Sequence, residues 1–354
     1  MAQVSQVGTV DRGTDVDAGF DAVAHARSIV GETYRLADYY EVGREKVREY
    51  AAAVRATHPI HWDEAGALRH GYPALVCPPT FSSLIAAVVQ RALTELLVSY
   101  NLGACVQTEQ VLDLRRPVLA GDRLYSSIGL LSFRQAFGGD LLVLANTITN
   151  QRDEVVLISE TSLIARSQPT IDTELNALIG NVLRTECAVG ESAILPDPVL
   201  SRASEPAGEP LAAALVRSCA DVAAGDELPS RTITLTLGDL VNYAGVAGDA
   251  NPIHWHSGAA GMVGLERGVV AHGMLTMALG AGYLTDWLGD PAALRVYSVR
   301  FTSPVYVTDT PSEIVFSGRI KSVDPETRTA VVALTATHDG RKIFGRAVAT
   351  VLLL

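Results

Sequence analysis

The chain has 354 residues, 48% of them hydrophobic, and a net charge of −11 from 28 basic and 39 acidic side chains. At about 150 residues per domain this length predicts two domains or three, each able to bury a core without disulfide support. An acidic chain without a basic tract excludes a nucleic-acid binder and a partner of anionic lipid surfaces, because both need clustered Lys and Arg.

Residues 1–30, acidic and glycine-containing, read as a flexible lead-in. They hold neither a basic n-region nor an apolar h-region, so no secretory signal is expected. Mean hydropathy is +0.21, yet no run reaches the ~18 to 20 apolar residues of a spanning helix. Arg91, Glu95 and Arg346 interrupt the most apolar segments. Cys77, Cys105, Cys187 and Cys219 lie far apart and form no CxxC pair, which reads as reduced thiols. The expectation is a soluble, cytoplasmic protein with no membrane span.

A first domain is expected over 31–168. It opens with a short helical stretch that ends at His58-Pro59-Ile60-His61-Trp62, followed by a loop and a long apolar helix over Pro79–Val98. Strand-like segments follow at Thr108–Asp113, Arg123–Leu131, Leu141–Asn150 and Val155–Ala165, rich in Val, Ile, Leu and Thr. Residues 169–228, punctuated by Pro196, Pro198, Pro206 and Pro210, read as a linker with one or two short helices. A second domain is expected over 229–354, with the same order. It has a helical stretch to Asn251-Pro252-Ile253-His254-Trp255, an apolar helix over Gly273–Leu288, and strands at Arg295–Thr302, Glu313–Lys321, Ala330–Thr337 and Ile343–Leu353.

The two domains are copies. An offset of 193 residues aligns 47–62 with 240–255 at six identities in sixteen positions, and places Gly71 over Gly264 and Pro79-Thr80 over His272-Gly273. Farther on, Pro117 and Pro304 align at an offset of 187, each followed by an aspartate, Asp122 and Asp309. Several matches in one order indicate duplication. A helix apolar almost all round must be buried, and four antiparallel-type strands beside it imply an α+β unit with the sheet wrapped around the helix.

The chemistry concentrates at Gly248-Asp249-Ala250-Asn251-Pro252-Ile253-His254. The residue before proline avoids the α region, so the chain turns there and can aim the carboxylate and imidazole at one spot as an acid/base pair. The competing reading makes the aspartate a turn or cap residue. His254-Trp255-His256 has the H-x-H spacing of a metal site, but no further Cys or His cluster completes a ligand set, and no metal is expected. No phosphate-binding glycine loop occurs, so no nucleotide cofactor is expected either.

The run from Tyr243 to His254 resembles the hydratase-2 signature of MaoC-like dehydratases, which are hot-dog proteins, and Gly268–Met274 resembles the segment entering their central helix. The first half resembles the MaoC-like domain poor in catalytic residues. The whole chain is similar to an actinobacterial-type fusion of HadA-like and HadB-like subunits. The resemblance implies a double hot-dog hydro-lyase, without cofactor, that dehydrates (3R)-hydroxyacyl thioesters on acyl carrier protein during fatty-acid elongation, reversibly and by syn elimination. It implies Asp249 and His254 as the catalytic pair. Gly273 would sit at a helix start whose free N–H groups meet the thioester oxyanion. Asn251, His272 and Tyr243 would be supporting residues.

In the first half Ala56 stands where Asp249 does, while His61 matches His254, so that half is expected to be catalytically degenerate and to supply an acyl-chain tunnel; an alternative pairs His61 with Asp63. Arg295 and Arg300 are candidates for a phosphopantetheine phosphate or an acidic carrier, or solvated strand residues. Rival functions are an (R)-specific enoyl-CoA hydratase, a non-catalytic acyl-thioester binding subunit, and a thioesterase. A homodimer is left open.

Overall fold

The computed structural model describes residues 20–97, 105–136, 139–165, 194–197 and 217–354, with the isolated positions 100, 178 and 182. In chain order these form helix α1 (Ala22–Ser28), strands β1 (Thr33–Leu36) and β2 (Tyr40–Glu41), helices α2 (Arg44–Ala53), α3 (Glu64–Arg69) and α4 (Ser82–Leu96), and strands β3 (Val106–Leu114), β4 (Arg123–Ala136), β5 (Gly139–Thr149), β6 (Val155–Ala165) and β7 (Ile194–Pro196). The second half contains β8 (Glu227–Leu235), α5 (Leu237–Ala247), α6 (Ser257–Met262), β9 (Val269–Val270), α7 (Gly273–Leu288), β10 (Leu294–Phe301), β11 (Tyr306–Val307), β12 (Ser312–Asp324), β13 (Thr329–His338), β14 (Arg341–Lys342) and β15 (Phe344–Leu352).

Thirteen described strands form one antiparallel sheet whose path runs β7-β1-β4-β5-β6-β3-β10-β15-β13-β12-β8. The halves join where β3 pairs with β10. In that register Val111 faces Ser298, two residues 187 apart, the offset that separates Pro117 from Pro304. Each flanking residue likewise faces the counterpart of its neighbour: Leu112 with Tyr297, Gln110 with Val299. A two-fold pseudo-axis therefore passes through the Val111–Ser298 pair. Across it α2 packs on α5, bringing the repeat-equivalent Tyr50 and Tyr243 rings to 6.4 Å. Side-chain polar contacts also tie the halves. Tyr72 donates to the fully buried Asp290 at 3.1 Å, His58 Nε2 donates to the Gly289 carbonyl at 3.0 Å, and Arg55 pairs with Asp239 at 2.8 Å.

Helix α7 is the core of the second unit. It lacks a polar face, so nearly every side chain from Leu275 to Leu288 is buried by the curved sheet. Gly289, in the left-handed conformation at φ 82°, ends it. Helix α4 plays the same part in the first unit but begins at Ser82, three residues later than the sequence predicts. Pro78 and Pro79 occupy the entrance, and the Thr80 carbonyl accepts the Tyr50 hydroxyl at 2.7 Å.

Several expectations need correction. Part of the predicted lead-in is a packed helix, α1, with Ala22 and Ala26 buried; residues 1–19 lie outside the described residues. Within the predicted linker, β7 pairs with β1 at the sheet edge, and Ser127 donates to Asp197 at 2.8 Å. Nearly all other linker positions before 217, Cys187 among them, lie outside the described residues. Strands β1, β2 and β8, which precede the helical stretches, were not expected. They are short or mostly exposed on one face, so they carry little apolar alternation.

Gly280 of α7 lets the helix approach the sheet. A methyl there would lie 2.5 Å from the Tyr297 hydroxyl and 3.0 Å from Leu334. Gly280→Ala is expected to cost about 1–3 kcal/mol by overpacking. Gly282→Ala, two residues on and with nothing within 4 Å, should gain up to about 1 kcal/mol of helix propensity. Thermal unfolding of the two variants should shift in opposite directions.

Candidate active site

Helix α5 ends at Gly248, again left-handed at φ 76°, which frees the chain to turn toward α7. Asp249 follows, exposed, its Oδ1 accepting from the Asn251 backbone N–H at 3.3 Å. Asn251 caps the short 3-10 turn Pro252–His254 by accepting from Ile253 N–H at 3.3 Å. That turn carries His254 inward, where it is 8% exposed. His254 Nδ1 lies 2.7 Å from the Val270 carbonyl of β9. A carbonyl only accepts, so Nδ1 holds the hydrogen and the neutral ring presents an Nε2 lone pair. Burial lowers the His254 pKa, opposed by the Asp249 charge.

His272, 1% exposed, immediately precedes α7. Its ring stacks on His254 with centroids 3.7 Å apart and planes 25° from parallel. His272 Nε2 donates to the Asp249 carbonyl at 3.3 Å, clamping the Asp249–His254 turn. Burial, helped by His254, pushes its pKa down to about 3. The Tyr243 ring lies 4.9 Å from His272. The Tyr243 hydroxyl and His272 Nδ1 are each buried without a hydrogen-bond partner, the hydroxyl beside Tyr50 and Ser83. No side chain caps α7, so the N–H groups of Gly273 and its successors stay open at the positive end of the helix. The Phe301 ring lies 3.4 Å from where a Cβ on Gly273 would sit. Side chains of all the predicted site residues except Asn251, which shapes the turn, thus converge with the Gly273 backbone on one entrance. The Val270 carbonyl and Phe301 complete it. Neither was legible in the sequence, since one is a backbone atom and the other arrives from a strand 28 residues beyond Gly273.

Ligand atoms of Asp249, His254 and His272 lie within 4.8 Å of one another. Stacked imidazoles aim their in-plane lone pairs side by side, not at a common point, and this arrangement does not suit one ion. His256, the other member of the H-x-H, accepts from Ala259 N–H at 3.1 Å as the cap of α6.

The first half keeps the histidine and loses its partner. His61 Nδ1 donates to the Val76 carbonyl at 2.6 Å, as His254 does to Val270. Ala56 is buried apolar chain, and Asp63 caps α3 by accepting from Gly66 N–H at 2.6 Å. Burial holds the His61 pKa down at about 4. An apolar pocket, open to solvent, lies at the α4 entrance between Pro79, Ile85, Leu114 and Leu294, with Arg116 and Arg295 at its lining. None of Asp249, His254, His272 or Gly273 lines it. Its Pro79 and Leu114 are the repeat counterparts of His272 and Phe301 at the Gly273 entrance.

Two known families match the chain in tandem: a FAS1-like dehydratase domain region over residues 28–159 and a MaoC like domain over 222–339. A solved MaoC-like dehydratase is 41% identical, with a TM-score of 0.81, covering 93% of this chain and all of that one. The chain belongs to the MaoC-like dehydratase family. As a member of it, the protein is a dehydratase or hydratase with a double hot-dog fold. A UPF0336 protein of Mycobacterium tuberculosis (strain H37Rv) is 36% identical over 146 residues, 41% of this chain and 92% of its own length. A Mycobacterium tuberculosis protein described as having a double hotdog fold shares that fold at a TM-score of 0.61 and 16% identity, over 91% of this chain and 96% of its own. Among the described residues no helix is long and apolar enough to cross a membrane.

His61 and His272 are buried neutral, with folded pKa values below the ordinary 6.5. Between those values the unfolded chain binds more protons, so stability rises with pH and is lost on acidification. The loss is about 1.4 kcal/mol per pH unit per group, or about 2 kcal/mol each by pH 5. Calorimetry from pH 7 to 5 should show a falling Tm; a flat profile would contradict the buried neutral rings.

Proposed function

We propose that this MaoC-like dehydratase is a hydro-lyase for (3R)-hydroxyacyl thioesters, with the acyl group on acyl carrier protein in fatty-acid elongation. The reading rests on one observation, the His254 ring fixed through Nδ1 to Val270 beside the Asp249 carboxylate. In dehydration one member of the pair takes the C2 proton as the C3–oxygen bond breaks on the same face and the other delivers a proton to the departing hydroxyl, releasing water and a trans-2-enoyl thioester. The pair gains one proton as it loses one, so its proton count is unchanged; hydration runs in reverse. Negative charge develops on the thioester oxygen, and the open N–H groups at Gly273 and Met274 stabilise it in a site where burial strengthens their effect. Gly273 admits the thioester because it has no side chain. His272 holds the turn, and the Tyr243 ring packs beside His272. The first half acts as a packing partner and contributes apolar surface for the acyl chain. Two halves in one chain meet the pairing need internally.

Hydration of crotonyl and longer enoyl thioesters, followed by loss of the conjugated absorbance, tests this. Asp249→Asn and His254→Ala are each expected to lose about 100- to 10,000-fold in kcat. Full activity in either would remove the residue from the site. His61→Ala should change kcat less than about 3-fold, because no carboxylate joins His61. Carrier-linked and CoA-linked substrates compared side by side separate biosynthesis from the (R)-specific enoyl-CoA hydratase.

A further inference from the structure

Four cations crowd one exposed patch of a chain whose net charge is −11. In the β10–β15 register Arg300 lies directly opposite Arg346, so the two share a face of the sheet, and both are exposed. Like charges placed opposite one another destabilise a sheet, and the fold gains nothing from this pair. Arg341 and Lys342, both exposed on β14, continue the patch. The Lys342 carbonyl accepts from Thr302 Oγ1 at 3.2 Å, two residues beyond Arg300. None of the four takes part in an ion pair among the described residues, a state they share with Arg27, Arg35, Arg69, Arg134, Arg217, Arg295, Arg319 and Arg328 elsewhere; what sets the four apart is that they lie together. The acidic groups alongside are few. Glu109 faces Arg300 across β3, and Asp339 is engaged by Arg267 at 2.8 Å.

The patch adjoins the catalytic entrance. Phe301, next to Arg300 in the chain, turns its ring to Gly273 at the start of α7, while Arg300 stays exposed. Strand β15 brings Phe344 opposite Phe301 and Arg346 opposite Arg300. The cations therefore stand within a few residues of the thioester position, on open sheet surface rather than in a cleft.

We propose that Arg300, Arg341, Lys342 and Arg346 form the docking surface for the acidic carrier protein that delivers the acyl group. This rests on the thioester chemistry assigned to Asp249 and His254. Cations spread over an open strand face match a spread of carboxylates on a protein surface. A free nucleotide carrier would present a compact cluster of phosphates and a base, which call for a cleft. Complementary charge of this kind acts chiefly on encounter and is weakened by salt.

The test uses the full chain with Arg300→Glu, Lys342→Glu and Arg346→Glu combined, and one crotonyl group on three handles: an acidic acyl carrier protein, CoA, and N-acetylcysteamine. With the carrier, kcat/KM should fall at least about 30-fold, mostly through KM, as expected for reversing three cations that steer encounter. With N-acetylcysteamine, which bears no charge, it should change less than about 2-fold, which also shows the variant is folded. With CoA the loss should stay below about 3-fold. Wild-type activity on the carrier-linked substrate should drop steeply between low salt and about 0.3 M, and the variant should lose that dependence. Undiminished carrier turnover in the variant would overturn the docking surface, as would a CoA loss equal to the carrier loss. If wild-type protein turns over none of the three thioesters, the failure lies in the catalytic reading and not in the patch.

Discussion

Everything in this protein depends on two strands meeting edge to edge. Neither half can cover its own edge, because β3 and β10 each leave a row of backbone donors and acceptors on one side. Pairing them antiparallel, with Val111 opposite Ser298, satisfies both rows. It also fixes the pseudo-axis that sets α2 against α5 and Tyr50 against Tyr243. The helices α4 and α7 are then each enclosed by a continuous sheet. The buried Tyr72–Asp290 hydrogen bond and the His58–Gly289 contact lock the arrangement, because a buried carboxylate left alone is costly.

Within that near-symmetric frame the two entrances differ by small changes with large chemical effect. Both keep a histidine bound through Nδ1 to a backbone carbonyl. In the first half the remaining components are spent on structure: Tyr50 bonds Thr80, Asp63 caps a helix, and prolines fill the entrance. In the second half His256, the equivalent of Asp63, likewise caps a helix, but Gly273 stands in place of Thr80 and Asp249 in place of Ala56, exposed beside His254, while the Tyr243 hydroxyl has no hydrogen-bond partner. Polar groups left unsatisfied in a buried site are expensive, and their collection at one point is a functional signature.

Charge follows the same logic. Nine described arginines are spent in ion pairs across the surface, which add little stability each. Arg300 and Arg346, outside any ion pair, face one another where two strands of the second unit meet, next to the Phe301 ring that packs at Gly273.

The sequence by itself determined the duplication, the two apolar helices, eight strands and the Asp249–His254 spacing, because each is written in local periodicity or in matches at constant offset. Val155–Ala165 and Gly273–Leu288 fall where alternation and apolar content place them. Short exposed strands such as β1 and β8 escaped, since an edge strand needs little apolar patterning. Tertiary structure alone decided that the Val270 carbonyl sets the His254 tautomer, that His272 stacks on that ring, that Phe301 lines the entrance, and that Arg300 and Arg346 face one another. These are relations between segments far apart in the chain, and only strand register and the closure of the sheet around its helix bring them to one place.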